Sequence, residues 1–227
     1  MFLIILVVFV SRRRVVRKKI YHWIPVYPPE FLGRDPIVKV LTIEPRDLIN
    51  RIVRIKAIGY VTRYEDQVMD LLFRIVKVTP SGAHSIFIGH QYPREIISTI
   101  VRRRRSKCEV ITRVRTKDNQ QVKVSVIAMT FRRAHYRQRK AIRRTMLEIL
   151  EERAKELESQ QFLWNLVIRK AFHREIISAC HKIYPIRDFL VYKSFNESSL
   201  IPPTEITNYI EGDPAKILEK TETVRLR

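Results

Sequence analysis

Charge in this chain is gathered into one block, and the block limits how the chain can fold. Residues 93–145 hold 17 Lys or Arg against three acids, Glu95, Glu109 and Asp118, a net of +14. Residues 1–21 add six basic groups and no acid, whereas residues 146–227 come out at −1. The whole chain carries +21. Solubility asks only for a modest net charge of mixed sign. A surface built from residues 93–145 cannot neutralise itself. Such a block is the footprint of a polyanion, and the commonest one in cells is nucleic acid.

A chain of 227 residues with 45% hydrophobic content supports one compact domain with extensions. The two cysteines, Cys108 and Cys180, lie far apart with no CxxC. That argues for a reducing compartment and against a structural zinc site. Residues 1–10 are all apolar and are followed by Ser11, Arg12, Arg13 and Arg14. A membrane-spanning helix needs about 20 apolar residues, and a secretory signal carries its charges before the apolar stretch. A tail ordered by a partner, a start assigned upstream and a membrane anchor are the readings left for this segment.

Residues 1–36 read as an extended basic and apolar arm, with Pro25, Pro28, Pro29 and Pro36 along it. From Ile37 the pattern becomes period two. Strands are expected near 37–42, 52–59, 71–75, 85–89, 108–116 and 122–128, the last two joined by a turn in which Asp118 and Asn119 supply positive φ. Pro93 opens a short helix reaching about 103, with Ile96, Ile97, Ile100 and Val101 at helical spacing. Helices follow at about 132–157, 162–171 and 174–184, and Phe189 with Val191 marks a late strand. The predicted fold is α+β: a small six-stranded antiparallel barrel followed by helices. Residues 37–193 would form the compact domain and 194–227 a polar, loosely ordered tail.

Two runs carry the charge. Arg102, Arg103, Arg104 and Arg105 would sweep roughly 300° of a helix surface, more than a helix C-terminus alone requires. Arg132, Arg133, Arg137, Arg139, Lys140, Arg143 and Arg144 fill the first half of the long helix, and Glu148, Glu151, Glu152, Glu156 and Glu158 its second half. That order opposes the helix dipole, so a partner at the basic end explains it better than stability does. Tyr21, Trp23 and Tyr136 are interleaved with basic residues and would either stack on unpaired bases or pack. No catalytic signature is present: the six histidines lack metal-ligand spacing, His90 reads as capping a strand or turn, and the chain has no GxxxxGK or GxGxxG. The acids of the basic block sit on different elements, whereas metal-dependent phosphodiester chemistry needs converging carboxylates.

These residues resemble a known family. Lys18, Lys19 and the run Trp23-Ile24-Pro25-Val26-Tyr27-Pro28-Pro29 are similar to the arm of the archaeal and eukaryotic small-subunit ribosomal proteins called S-three-Ae, or e-S-one. The likeness continues through Phe87-Ile88-Gly89-His90, through Val101 and the four arginines to Ser106 and Lys107, and through Thr116-Lys117-Asp118. It ends with Gln138-Arg139-Lys140-Ala141-Ile142-Arg143 and Ile183-Tyr184-Pro185-Ile186-Arg187. It spans roughly 18–193, in order. Asn119 stands where the family usually has Gly, Asn50-Arg51 replaces a usual Gly-Arg, and residues 1–10 have no counterpart.

The resemblance implies a structural constituent of the small ribosomal subunit, cytoplasmic and ribosome-bound, on the platform near the mRNA exit. Its implied partners are small-subunit rRNA, neighbouring platform proteins and mRNA near the exit, with no enzyme activity, cofactor, metal, membrane or small-molecule substrate. The RNA-facing groups it implies are Lys18, Lys19, Arg102, Arg103, Arg104, Arg105, Lys107, Arg139, Lys140 and Arg143. Charge placement alone adds Arg132, Arg133, Arg137 and Arg144, and base stacking would add Trp23. An RNA-processing enzyme and a non-ribosomal RNA-binding protein are the alternatives.

Overall fold

The computed structural model describes residues 20–33, 35–61, 64–198 and 222–225. Among them are nine strands and five α-helices. The strands are β1 Ile20–Tyr27, β2 Val38–Thr42, β3 Ile52–Lys56, β4 Asp70–Thr79, β5 Gly82–Gln91, β6 Lys107–Arg115, β7 Gln121–Thr130, β8 Ile186–Asn196 and β9 Glu222–Arg225. The helices are α1 Tyr64–Gln67, α2 Arg94–Ile100, α3 Tyr136–Glu156, α4 Ser159–Val167 and α5 His173–His181. All six expected strands are present, as β2 to β7.

They do not close. The nine strands form one open sheet in the order β2-β1-β5-β8-β7-β6, with β3-β4 on the other edge of β5 and β9 on β1. The expected barrel needed β6 to reach back to an early strand. Instead β8 inserts between β5 and β7, pairing Gly89 with Phe195 on one side and Val126 with Val191 on the other. That leaves β6 at the far end of the ladder, paired among the described strands to β7 alone. Helix α3 lies against β6, so the apolar face of the sheet is covered from outside rather than rolled shut.

Glycine makes the central crossing possible. Gly89 has φ +152°, and a Cβ there would run into the Ser194 carbonyl, so the two backbones meet at a distance no side chain permits. Beside it His90 is fully buried, its Nδ1 2.6 Å from Ser194 Oγ and its Nε2 2.8 Å from the Val191 carbonyl. Burial is the main reason that its pKa falls from 6.5 to about 4. The expected turn between β6 and β7 forms with Asn119 at φ 57°, and Asn50 at φ 66° fills a second left-handed position.

The main core joins the inner faces of β4–β8 to three helices. Ile142, Met146, Leu150 and Ala154 of α3 recur every fourth residue and pack with Phe162, Leu166, Ile176 and Cys180 of α4 and α5. A smaller core of Ile24, Val26, Val40, Leu48, Ile75 and Val78 lies between β1–β2 and β4–β5. The arm residues 20–27 are therefore a strand of the sheet, and from the polar tail residues 222–225 pair with Ile20 to Trp23 of that strand.

Candidate nucleic-acid interface

The four arginines are not on a helix. Helix α2 ends at Ile100, Val101 turns extended at ψ 113°, and Arg102 to Arg105 form a turn into β6 with Arg104 in the left-handed region at φ 62°. The apolar spacing of Ile96, Ile97, Ile100 and Val101 gave no warning, because it cannot register a backbone reversal at its last member. Arg132 and Arg133 are likewise outside α3, in the loop that leads from β7 into it. The 300° sweep is replaced by a convergence of two loops.

Ser106 and Thr130 hold those loops together. Both are buried. Ser106 N–H donates to Thr130 Oγ1 at 3.0 Å, and Ala134 N–H donates to Ser106 Oγ at 3.0 Å. Thr130 N–H donates to the Ser106 carbonyl at 3.1 Å. Two hydroxyls thus fasten the arginine turn to the entry of α3. Neither is charged, and although the family resemblance runs through Ser106, no pattern in the sequence marks either hydroxyl as a clamp.

The result is a cleft of about 640 Å³ lined by Arg104, Arg105, Ser106, Lys107, Arg133 and Arg139, with no carboxylate in its wall. A second group, Arg137, Lys140 and Arg144, lines an open depression on the outer face of α3. These three recur at i, i+3 and i+7 and so form one stripe. Arg139 and Arg143 form a stripe beside it, against β6. Arg102, Arg103 and Arg132 are exposed next to the cleft without lining it. Trp23 is elsewhere: it is half-buried on β1, opposite Leu41 and Glu222. Lys18 and Lys19 lie outside the described residues.

Few of these cations have protein partners. Lys107 Nζ sits 2.7 Å from Glu109, whose carboxyl also accepts from Tyr192 Oη at 2.7 Å. The Lys107 hydrogen bond first, and the Tyr192 one second, hold the Glu109 carboxyl below its usual range. Arg105 comes within 3.9 Å of Asp188, and Arg144 within 3.8 Å of Glu148, both loose contacts. Among the described residues no ion pair forms to Arg102, Arg103, Arg104, Arg132, Arg133, Arg137, Arg139, Lys140 or Arg143. The Nε atoms of Arg139 and Arg143 are buried with no acceptor. Both guanidinium groups lie close enough to the buried Cys108 to pull its thiol pKa down, although burial is stronger and raises it.

The end of α3 adds to this field. Its first helical bond runs from Arg139 N–H to the His135 carbonyl at 3.0 Å, so the amides of Tyr136, Arg137 and Gln138 precede it. Gln138 Oε1 caps the His135 N–H at 3.0 Å, and the first turn holds no acid. A helix start of about half a positive charge therefore lies among five cations that converge. The arrangement suits an anion with several oxygens, and its repetition along the helix suits a chain of them.

Other chemistry finds less support. Asp118 accepts the Ser159 N–H at 3.1 Å and so serves the start of α4. Among the described residues no three His, Cys, Asp or Glu side chains come together in a way that could hold a metal ion. No described helix is long and apolar enough to cross a membrane, and residues 1–10 lie outside the described residues.

Comparison with known proteins adds an independent line. Residues 12–197 match the model of the ribosomal S3Ae family. Three archaeal relatives carry the name small ribosomal subunit protein eS1. The one from Desulfurococcus amylolyticus is 31% identical over 198 residues, 86% of this chain and 92% of the relative. The Methanococcus maripaludis protein is 31% identical over 172 residues, 76% of each chain. The Methanothrix thermoacetophila protein is 28% identical over 213 residues, 94% of this chain and 97% of the relative.

Proposed function

Because the chain belongs to the ribosomal S3Ae family, we propose that it is a structural constituent of the small ribosomal subunit that holds small-subunit rRNA by phosphate contacts and shape. The observation that carries the reading is the carboxylate-free cleft of Arg104, Arg105, Lys107, Arg133 and Arg139 at the start of α3. Arg137, Lys140, Arg143 and Arg144 extend it along the helix, and Arg102, Arg103 and Arg132 flank it. Phosphate contacts fix position and supply affinity, and the sheet holds the two loops and the helix in register for an A-form backbone. Lys18, Lys19 and Trp23 would make a separate contact through the arm.

The finer placement, on the platform near the mRNA exit beside platform proteins and mRNA, belongs to the same proposal and rests on the family resemblance. The relatives are named as ribosomal proteins, not as enzymes, and the cleft offers charge without a nucleophile or general base. Sedimentation of a native lysate through sucrose at low and high salt tests the proposal. The chain is expected to travel with the small subunit at both salts. Recovery at the top of the gradient at both would contradict it.

A further inference from the structure

Phe31, Phe131 and Tyr136 are exposed, at 48%, 56% and 66%. Phe31 meets Trp164 edge-on, with ring centroids 5.5 Å apart. Phe131 and Tyr136 meet no other ring among the described residues and stand at the two ends of the loop that carries Arg132 and Arg133. Tyr136 also shares a helix face with Arg139, Lys140 and Arg143, at i+3, i+4 and i+7. Rings of this size gain by burial, so two left exposed at the ends of one loop, whose Arg133 lines the cleft, need a reason.

We infer that Phe131 and Tyr136 form a stacking platform for an unpaired nucleotide, so that the cleft takes RNA at a bulge, loop or strand end rather than along a continuous duplex. This rests on the rRNA reading above and deepens it. Every base has a π face, and aromatic stacking strengthens binding about ten-fold or more per base without sequence preference. In a continuous A-form duplex those faces are hidden, so only a splayed base reaches the rings. The cations around the loop then hold the phosphates on either side of that base. An apolar protein neighbour fits less well, because exposed Arg132 follows Phe131 and exposed Arg137 follows Tyr136 in the chain, and both would need desolvation.

The test compares two hairpin RNAs, one with a single bulged fluorescent purine and one fully paired, against the full chain. Variants are Phe131→Ala with Tyr136→Ala, the conservative pair Phe131→Tyr with Tyr136→Phe, and Arg104→Gln with Arg139→Gln. The wild-type chain is expected to quench the purine and to bind the bulged RNA about ten-fold or more tighter than the paired one. The alanine pair should lose the quench and that preference while keeping its grip on the paired RNA, and the conservative pair should retain both. The arginine pair should weaken binding of both RNAs alike. A bulge preference and quench that survive the alanine pair would overturn the platform and leave the cleft standing. No binding of either RNA by the wild-type chain would overturn the cleft, and the platform with it. An unchanged RNA profile with loss of the alanine pair from the subunit would give the rings to a protein neighbour and also overturn the platform.

Discussion

The two ends of α3 carry arginine for different purposes. At the far end Arg153 donates from Nη2 to Glu175 at 2.8 Å and from Nη1 to Glu156 at 2.8 Å. Both carboxylates, Glu175 first, hold its pKa up, and the group fastens α3 to α5. At the near end Arg137, Arg139 and Arg143 share the helix with no ion pair to any described residue. One arginine is committed to its own fold and the others are left for something that is not this protein. A cation count therefore says less than a count of cations lacking carboxylates, and only the second kind marks an interface.

Replacing Arg104, Arg105, Arg133 and Arg139 with Gln should have the largest effect. RNA affinity near physiological salt is expected to fall by on the order of 100-fold or more, with the melting temperature unchanged or raised as self-repulsion is relieved. Equilibrium binding beside a thermal melt checks it, and an unaltered affinity would break the contrast.

Acid should separate fold from interface. His90 stays neutral in the folded chain down to about pH 4, while in the unfolded chain it takes a proton near 6.5. Its contribution is therefore fully present above pH 6.5 and is lost as pH falls toward 4, on the order of 3 kcal/mol in all. Lys170 pushes the same way as burial, and Asp66 opposes it. Urea midpoints measured between pH 7 and pH 4 should drop over that window, and a His90→Gln chain should show a shallower drop.

A middle-sized effect is expected at the clamp between the two loops. Thr130→Val removes a buried hydroxyl that accepts from Ser106 N–H, a loss of about 1–3 kcal/mol. Calorimetry should register a fall of about 2–4 °C per kcal/mol for a chain of this size. RNA affinity should fall too, because the arginine turn loses its anchor, whereas a purely structural clamp would leave affinity intact. Arg153→Met should do least: a slightly lower melting temperature and RNA binding indistinguishable from wild type. Weakened RNA binding in that variant would erase the distinction between the two ends.

How much of this was legible in the sequence differs between faces of the molecule. Period-two alternation located β2 to β7, and the apolar face of Ile142, Met146, Ile149 and Leu150 located α3, because burial imposes both patterns directly. Closure left no such trace. Whether six strands roll shut depends on where β8 inserts, and Phe189 with Val191 announced a strand without its neighbours. Strand β1 was hidden by Pro25, which offers no N–H yet sits opposite Lys39 in the ladder. Of the site, the charges were legible and their arrangement was not. The turn depends on Arg104 adopting a positive φ that arginine rarely takes, and on two uncharged hydroxyls that no charge count notices.

The most direct test of the central claim is the salt dependence of binding to a small-subunit rRNA fragment. It would be measured for the wild-type chain, the four-Gln cleft variant and Arg153→Met. Each phosphate contact contributes about 0.7–0.9 to the slope of log affinity against log salt. The cleft variant should lose roughly three units of slope, and Arg153→Met should match the wild type. Equal slopes in all three would mean that the start of α3 holds no phosphates, and the account would fail.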